Sequence, residues 1–263
     1  MDAHLLCPRI PVYHRKPACS TLAFTHVPLA DALARIRTLG FTAAELVVRG
    51  DNVWPGHLDP ARLADDAGYG RAALAVQQAS GLALASAGCE QASDLPLAEE
   101  KRRIAALAAW LAEAGARTLT VFVYERDPTQ RWRELDAIAS AHGLVLAAET
   151  HLGTATATPA AAAAVAADRD LRLTLDASHY IGQGFGPADW APLLPRVVAV
   201  QVRHCRPGEL QEASMDASAI AARLAELVPT GFTGTVVCEQ IANPGDPDWS
   251  GQLALTRRLL AFR

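Results

Sequence analysis

The sequence predicts an α/β fold, a single-domain (β/α)8 TIM barrel, on three observations. Eight short β-rich runs alternate with longer Ala/Leu-rich amphipathic stretches, the pattern of parallel βαβ units. No Pro/Gly/Ser-rich linker or block of like charge divides the 263 residues, a length ordinary for such a barrel. Four consecutive runs end in a carboxylate or an imidazole. An open doubly wound sheet would favour a glycine-rich turn after its first strand, and here that turn reads Thr25-His26-Val27-Pro28. Convergence of many strand ends on one point is what a closed barrel provides.

The expected strands are Ser20–Phe24, Ala43–Val48, Leu82–Ala87, Thr118–Tyr124, Leu144–Glu149, Leu171–Asp176, Val197–His204 and Thr235–Glu239. Between the first two, Leu29, Leu33 and Ile36 mark one helical face that stops at Gly40. Ile104, Leu107 and Leu111 repeat the pattern before Gly115, and Pro159 opens a helix over Ala160–Ala167 at the turn that tolerates proline. Residues 1–19 read as an N-terminal arm and residues 20–263 as the barrel.

Half the residues are apolar and a fifth are charged, which fits a globular core. A net charge of −4 offers no attraction to nucleic acid or an anionic membrane, and no apolar run is long enough to span a bilayer. The expected partner is therefore a small-molecule substrate, the expected compartment the cytoplasm, and a homo-oligomer is compatible with the sequence. The five cysteines make no CxxC pair, and Cys89, Cys205 and Cys238 read as buried thiols at strand ends.

The chemistry is expected at the ends of runs five to eight: Glu149, Asp176, His204 and Glu239. Period two puts Glu149 on a face with Val145 and Ala147, Glu239 with Thr235 and Val237, and His204 with Val198, Val200 and Val202. Three crowded carboxylates would repel unless some took up protons, and a divalent cation removes the conflict. Three carboxylates and an imidazole favour Mn2+ or Mg2+, with Co2+ and Zn2+ compatible.

These residues resemble the marks of the xylose isomerase-like TIM-barrel superfamily, which includes sugar-phosphate isomerases/epimerases and AP endonuclease family 2 proteins. The marks are a glutamate after strand five, Asp-x-x-His after strand six (Asp176 to His179), a histidine after strand seven and a glutamate after strand eight. Gly40-Phe41 before Glu45-Leu46, and Met215-Asp216 followed by Gly231-Phe232-Thr233-Gly234, agree with it.

The resemblance implies one metal ion on Glu149, Asp176, His204 and Glu239, with Glu149 and Glu239 as an acid/base pair and His179 and Arg206 holding substrate oxygens. His151 is expected either to touch substrate or to support a ligand, and Trp54 either to line the pocket or to anchor a loop. The implied activity is a metal-dependent isomerase or epimerase acting on a small sugar or polyhydroxylated carbonyl compound through an enediolate. The alternatives are a metal-dependent lyase/dehydratase of a hydroxylated cyclic carbonyl acid, with Arg206 or Arg126 on its carboxylate, and a non-catalytic metabolite-binding barrel. Strands three and four end without the additional histidines of the DNA-repair branch, which argues against abasic-site cleavage.

Overall fold

The computed structural model describes residues 17–48, 56–89, 95–214, 216–229, 231–243 and 245–261, apart from the Cys89 side chain. Trp54 lies outside the described residues. The strands are β1 Ala18–Ser20, β2 Ala43–Val48, β3 Ala83–Cys89, β4 Thr118–Val121, β5 Val145–Glu149, β6 Arg172–Asp176, β7 Val197–Val202 and β8 Thr235–Cys238. Each pairs in parallel with the next, and β1 closes on β8 through Ala18↔Val237 and Cys19↔Cys238.

The helices in chain order are α1 Leu29–Thr38, α2 Pro60–Asp65, α3 Ala67–Ala79, α4 Leu97–Glu113, α5 Thr129–Ala141, α6 Pro159–Arg169, α7 Ser178–Gly182, α8 Pro187–Trp190, α9 Ala217–Leu227 and α10 Ser250–Ala261. Among the described residues, no helix is long and apolar enough to cross a membrane.

The expected stops and starts have local causes. Gly40 takes φ +85°, and a Cβ there would lie 3.0 Å from the Arg257 guanidinium carbon. Only glycine both turns the chain left-handed and admits that side chain. Pro159 occupies the first turn of α6 behind Thr158, whose hydroxyl accepts the Ala161 N–H at 3.2 Å. Gly234 lets β8 approach β7, since a Cβ there would sit 2.3 Å from the Val198 carbonyl oxygen.

The first strand departs from expectation. It begins at Ala18, inside the stretch assigned to the arm, and ends at Ser20, after which Thr21–Phe24 is a 3-10 turn. The Ser20 hydroxyl accepts the Leu22 N–H, and the Thr21 hydroxyl accepts the Val47 N–H at 2.9 Å. These side-chain bonds compete with the ladder and turn the chain off the sheet. Ala23 and Phe24 are buried all the same, so hydrophobicity alone reads as strand.

The outer layer is tied by charge as well as packing. Arg131 of α5 donates from Nε to Glu100 Oε2 at 2.8 Å, from Nη2 to Glu100 Oε1, and from Nη1 to Asp127 Oδ2 at 2.8 Å. Glu100 and Asp127 are both buried. Removing the arginine strands two carboxylates, so Arg131→Ala is expected to cost about 3–5 kcal/mol in urea unfolding. A loss under about 1 kcal/mol would show that water takes over the arginine's role.

Candidate active site at the barrel mouth

The barrel interior is polar in its upper layer. Register puts Ser20 beside Glu45, Glu45 beside Ser86, Glu149 beside Thr174, and Asp176 beside Gln201. Thr120 and Thr174 share a hydrogen bond of 2.7 Å across the strands. Ser86 Oγ donates to Glu45 Oε2 at 2.6 Å. Gln201 Nε2 reaches both Glu45 Oε1 at 3.3 Å and Glu239 Oε1 at 3.1 Å. Four carboxylates therefore face one buried space: Glu45, Glu149, Asp176 and Glu239.

A guanidinium meets them. Arg203, just past β7 and 3 % exposed, donates from Nη2 to Asp176 Oδ2 and to Glu239 Oε2, the latter at 2.8 Å. Asp176 Oδ1 accepts the Ser178 N–H at 2.9 Å and the Ser178 hydroxyl at 2.5 Å. Burial alone would raise Asp176, but Arg203, His179 and Ser178 together hold its carboxyl below the usual range.

The glutamates go the other way. Burial, reinforced by Glu239 and Asp176, pushes Glu149 well above the carboxylate range. Burial lifts Glu239 to about 8 despite Arg203. Glu45 is also raised by burial.

Two imidazoles complete the mouth. His151 and His179 have ring centroids 4.0 Å apart, with Phe122 4.5 Å from the other side of His151. His151 Nδ1 lies 2.6 Å from the Leu152 carbonyl, which accepts only, so the proton is on Nδ1 and the Nε2 lone pair is open. His179 is buried, and neither ring nitrogen has a hydrogen-bond partner among the described residues. Its Nε2 lies 3.5 Å from Asp176 Oδ2. Burial drives its pKa down to about 3, so it is neutral at physiological pH.

The structure thus brings together Glu149, Asp176, Glu239, His179 and His151, and it leaves two expected residues outside. His204 points away from the carboxylates, with Nε2 3.5 Å from Glu212, and lines a separate pocket of about 370 Å3 with Arg206, Asp216 and Arg223. Arg206 lies there too, its side chain 54 % exposed and bonded to Glu209 at 2.7 Å.

The reason is parity on β7. Gln201 and Arg203 face the barrel, so His204 and the Val198-Val200-Val202 face turn toward the helices. A parallel strand buried on both faces carries apolar residues on each, and period two does not say which face is inside. The signal that would have found the right face is the unusual pair Gln201 and Arg203, polar residues two apart in a buried strand.

Trp190 packs as an anchor, stacked 6.3 Å from Tyr180. The thiols of Cys205 and Cys238 are raised by burial, Cys205 to about 12, so neither is a ready nucleophile.

Two groups of donors suit a divalent cation. Glu149, His151 and His179 bring ligand atoms within 4.8 Å of one another. A second set centres on Arg203 Nη2, which Asp176 Oδ2 and Glu239 Oε2 share, and the Gln201 amide oxygen is buried without a partner among the described residues. Orphaned buried donors of this kind fit a cation bound among them.

No protein-family model matches the chain, and no curated protein matches it in sequence. Solved structures do match. A xylose isomerase-like TIM barrel protein from Mycobacterium smegmatis, in complex with magnesium, is 19 % identical over 95 % of this chain and 97 % of its own, with TM-score 0.64. The D-allulose 3-epimerase from Methylomonas sp. in complex with D-allulose is 15 % identical over 94 % and 96 %, at 0.67. The probable 3-DHS dehydratase AsbF from Bacillus anthracis is 16 % identical over 94 % and 98 %, at 0.64. The chain has the xylose isomerase-like TIM-barrel fold.

Proposed function

We propose that the protein is a divalent-metal-dependent isomerase or epimerase acting on a small polyhydroxylated carbonyl compound. The observation that carries the reading is the pair Glu149 and Glu239, both buried at the mouth and both raised by burial, the direction that suits groups which accept and return a proton. The fold shared with a sugar epimerase and a magnesium-bound barrel supports it.

The ligands proposed are Glu149, Asp176 and Glu239, with the Gln201 amide oxygen in the place expected of His204. An all-oxygen set suits Mg2+ or Mn2+. A cation bound there would act as a Lewis acid on the substrate carbonyl and acidify the adjacent C–H. The protein's own part is positional. One glutamate removes the proton alpha to the carbonyl, and the other returns one to the opposite face or to the neighbouring carbon. Neutral His179 and His151 hydrogen-bond substrate oxygens, with Phe122 packed against His151.

The test is a panel of ketoses, aldoses and inosose-like compounds with added Mn2+ or Mg2+ in deuterated solvent. Deuterium should enter the substrate at the carbon alpha to the carbonyl. No incorporation with any compound would sink the reading.

One observation favours a second reading. Arg203 offers a buried guanidinium at the mouth with Nε and Nη1 unpartnered among the described residues, suited to a substrate carboxylate. This replaces Arg206, which lies outside the site. A lyase would remove the same alpha proton and expel the β-hydroxyl as water, giving a conjugated acid. Growth of ultraviolet absorbance with a hydroxylated cyclic keto acid would favour it.

A further inference from the structure

The buried Arg203 guanidinium stands on two of the oxygens the proposed cation would need. One nitrogen, Nη2, bridges Asp176 at the end of β6 and Glu239 just past β8. An ion at ordinary carboxylate distances, about 2.0–2.6 Å from the same oxygens, would take the space of that nitrogen and repel its charge. Both cannot occupy the centre.

The attachment is also partial. Nε and Nη1 of Arg203 are buried without partners among the described residues, so the guanidinium is held through one of its three nitrogens. A guanidinium locked in permanently would use its fork, with two parallel bonds to a carboxylate. Arg131 does so with Glu100 in this same chain.

We propose that Arg203 and a divalent cation are alternative occupants of the barrel centre, the guanidinium bridging Asp176 and Glu239 until the ion displaces it. The proposal rests on the metal reading above and adds to it: Arg203 sets how tightly the ion is held. Wild-type affinity is then a net value, lowered by the bonds Arg203 must give up.

Titration calorimetry with Mn2+ on chelator-treated wild type, Arg203→Met and Arg203→Lys tests it. Arg203→Met should bind Mn2+ roughly 10- to 100-fold tighter than wild type. Arg203→Lys, which keeps the charge, should stay well below Arg203→Met in affinity. Equal or weaker binding by Arg203→Met overturns the proposal and leaves the metal reading standing, whereas no binding by any of the three proteins removes both.

Since Arg203→Met strips a cation from buried acids, a measurement on the wild type guards against a folding failure. The arginine Nε–H resonance lost in Arg203→Lys is followed as Mg2+ is added. It should shift and exchange faster with water as the guanidinium leaves. A resonance unmoved at saturating Mg2+ overturns the proposal.

Discussion

Glu239→Gln is expected to retain the fold and lose turnover by roughly 10³-fold or more, the scale of a lost general acid or base. The amide is nearly isosteric, but its single oxygen can accept from only one of Arg203 Nη2 and Gln201 Nε2, which now bind the two different oxygens of the carboxylate. It cannot take a proton from carbon. Burial sets the carboxyl of Glu239 at about 8, with Asp176 and Glu45 adding to the rise and Arg203 opposing it. The unliganded residue is therefore protonated below that pH and becomes a base above it. A bound dication would pull the value down and extend the basic form toward neutral pH. Activity of the Mn2+-supplied protein should accordingly climb with pH, and the climb should begin below about 8. Turnover and metal content measured on one preparation decide the matter: both near wild type would show that β8 does not supply the acid/base group.

The barrel was legible because its signals are redundant. Gly40, Pro159 and the Leu29-Leu33-Ile36 face each punctuate or pattern a segment for a local reason, and each agrees with its neighbours. Three of the four expected ligands, Glu149, Asp176 and Glu239, were legible because each is the carboxylate at or just past its strand's end, followed by an uncharged residue, so no charged side chain of the other parity competes with it. On β7 Arg203 and His204 stand side by side with opposite parity. Val200 and Val202 are fully buried against the helices and Ala199 is fully buried inside, so apolarity marks both faces equally.

The histidine at the strand end carries the local signal of a ligand, and Gln201 and Arg203 carry none. Long polar side chains are usually surface residues, and only the partners they find across the barrel identify them as interior. Those partners, Asp176, Glu239 and Glu45, lie 27 to 156 residues away in the chain, which no local window contains.

His179→Ala separates substrate binding from metal retention. His179 follows Asp176 by three residues, in the first turn of α7, which starts directly past the end of β6. Its imidazole is kept neutral by burial, with a pKa of about 3, so it contributes a hydrogen bond and not a charge. If Glu149, Asp176, Gln201 and Glu239 hold the ion, the variant should bind Mn2+ as tightly as wild type while turnover falls by roughly 10²-fold. Stability should drop by about 1–3 kcal/mol, because a buried ring leaves a gap against His151. Loss of metal together with activity would move the ion to the outer group of Glu149, His151 and His179. His151→Ala discriminates further. It should spare metal binding if the ion lies among the carboxylates, and it should weaken binding as much as His179→Ala does if the two imidazoles are ligands, since both then fill equivalent positions around Glu149.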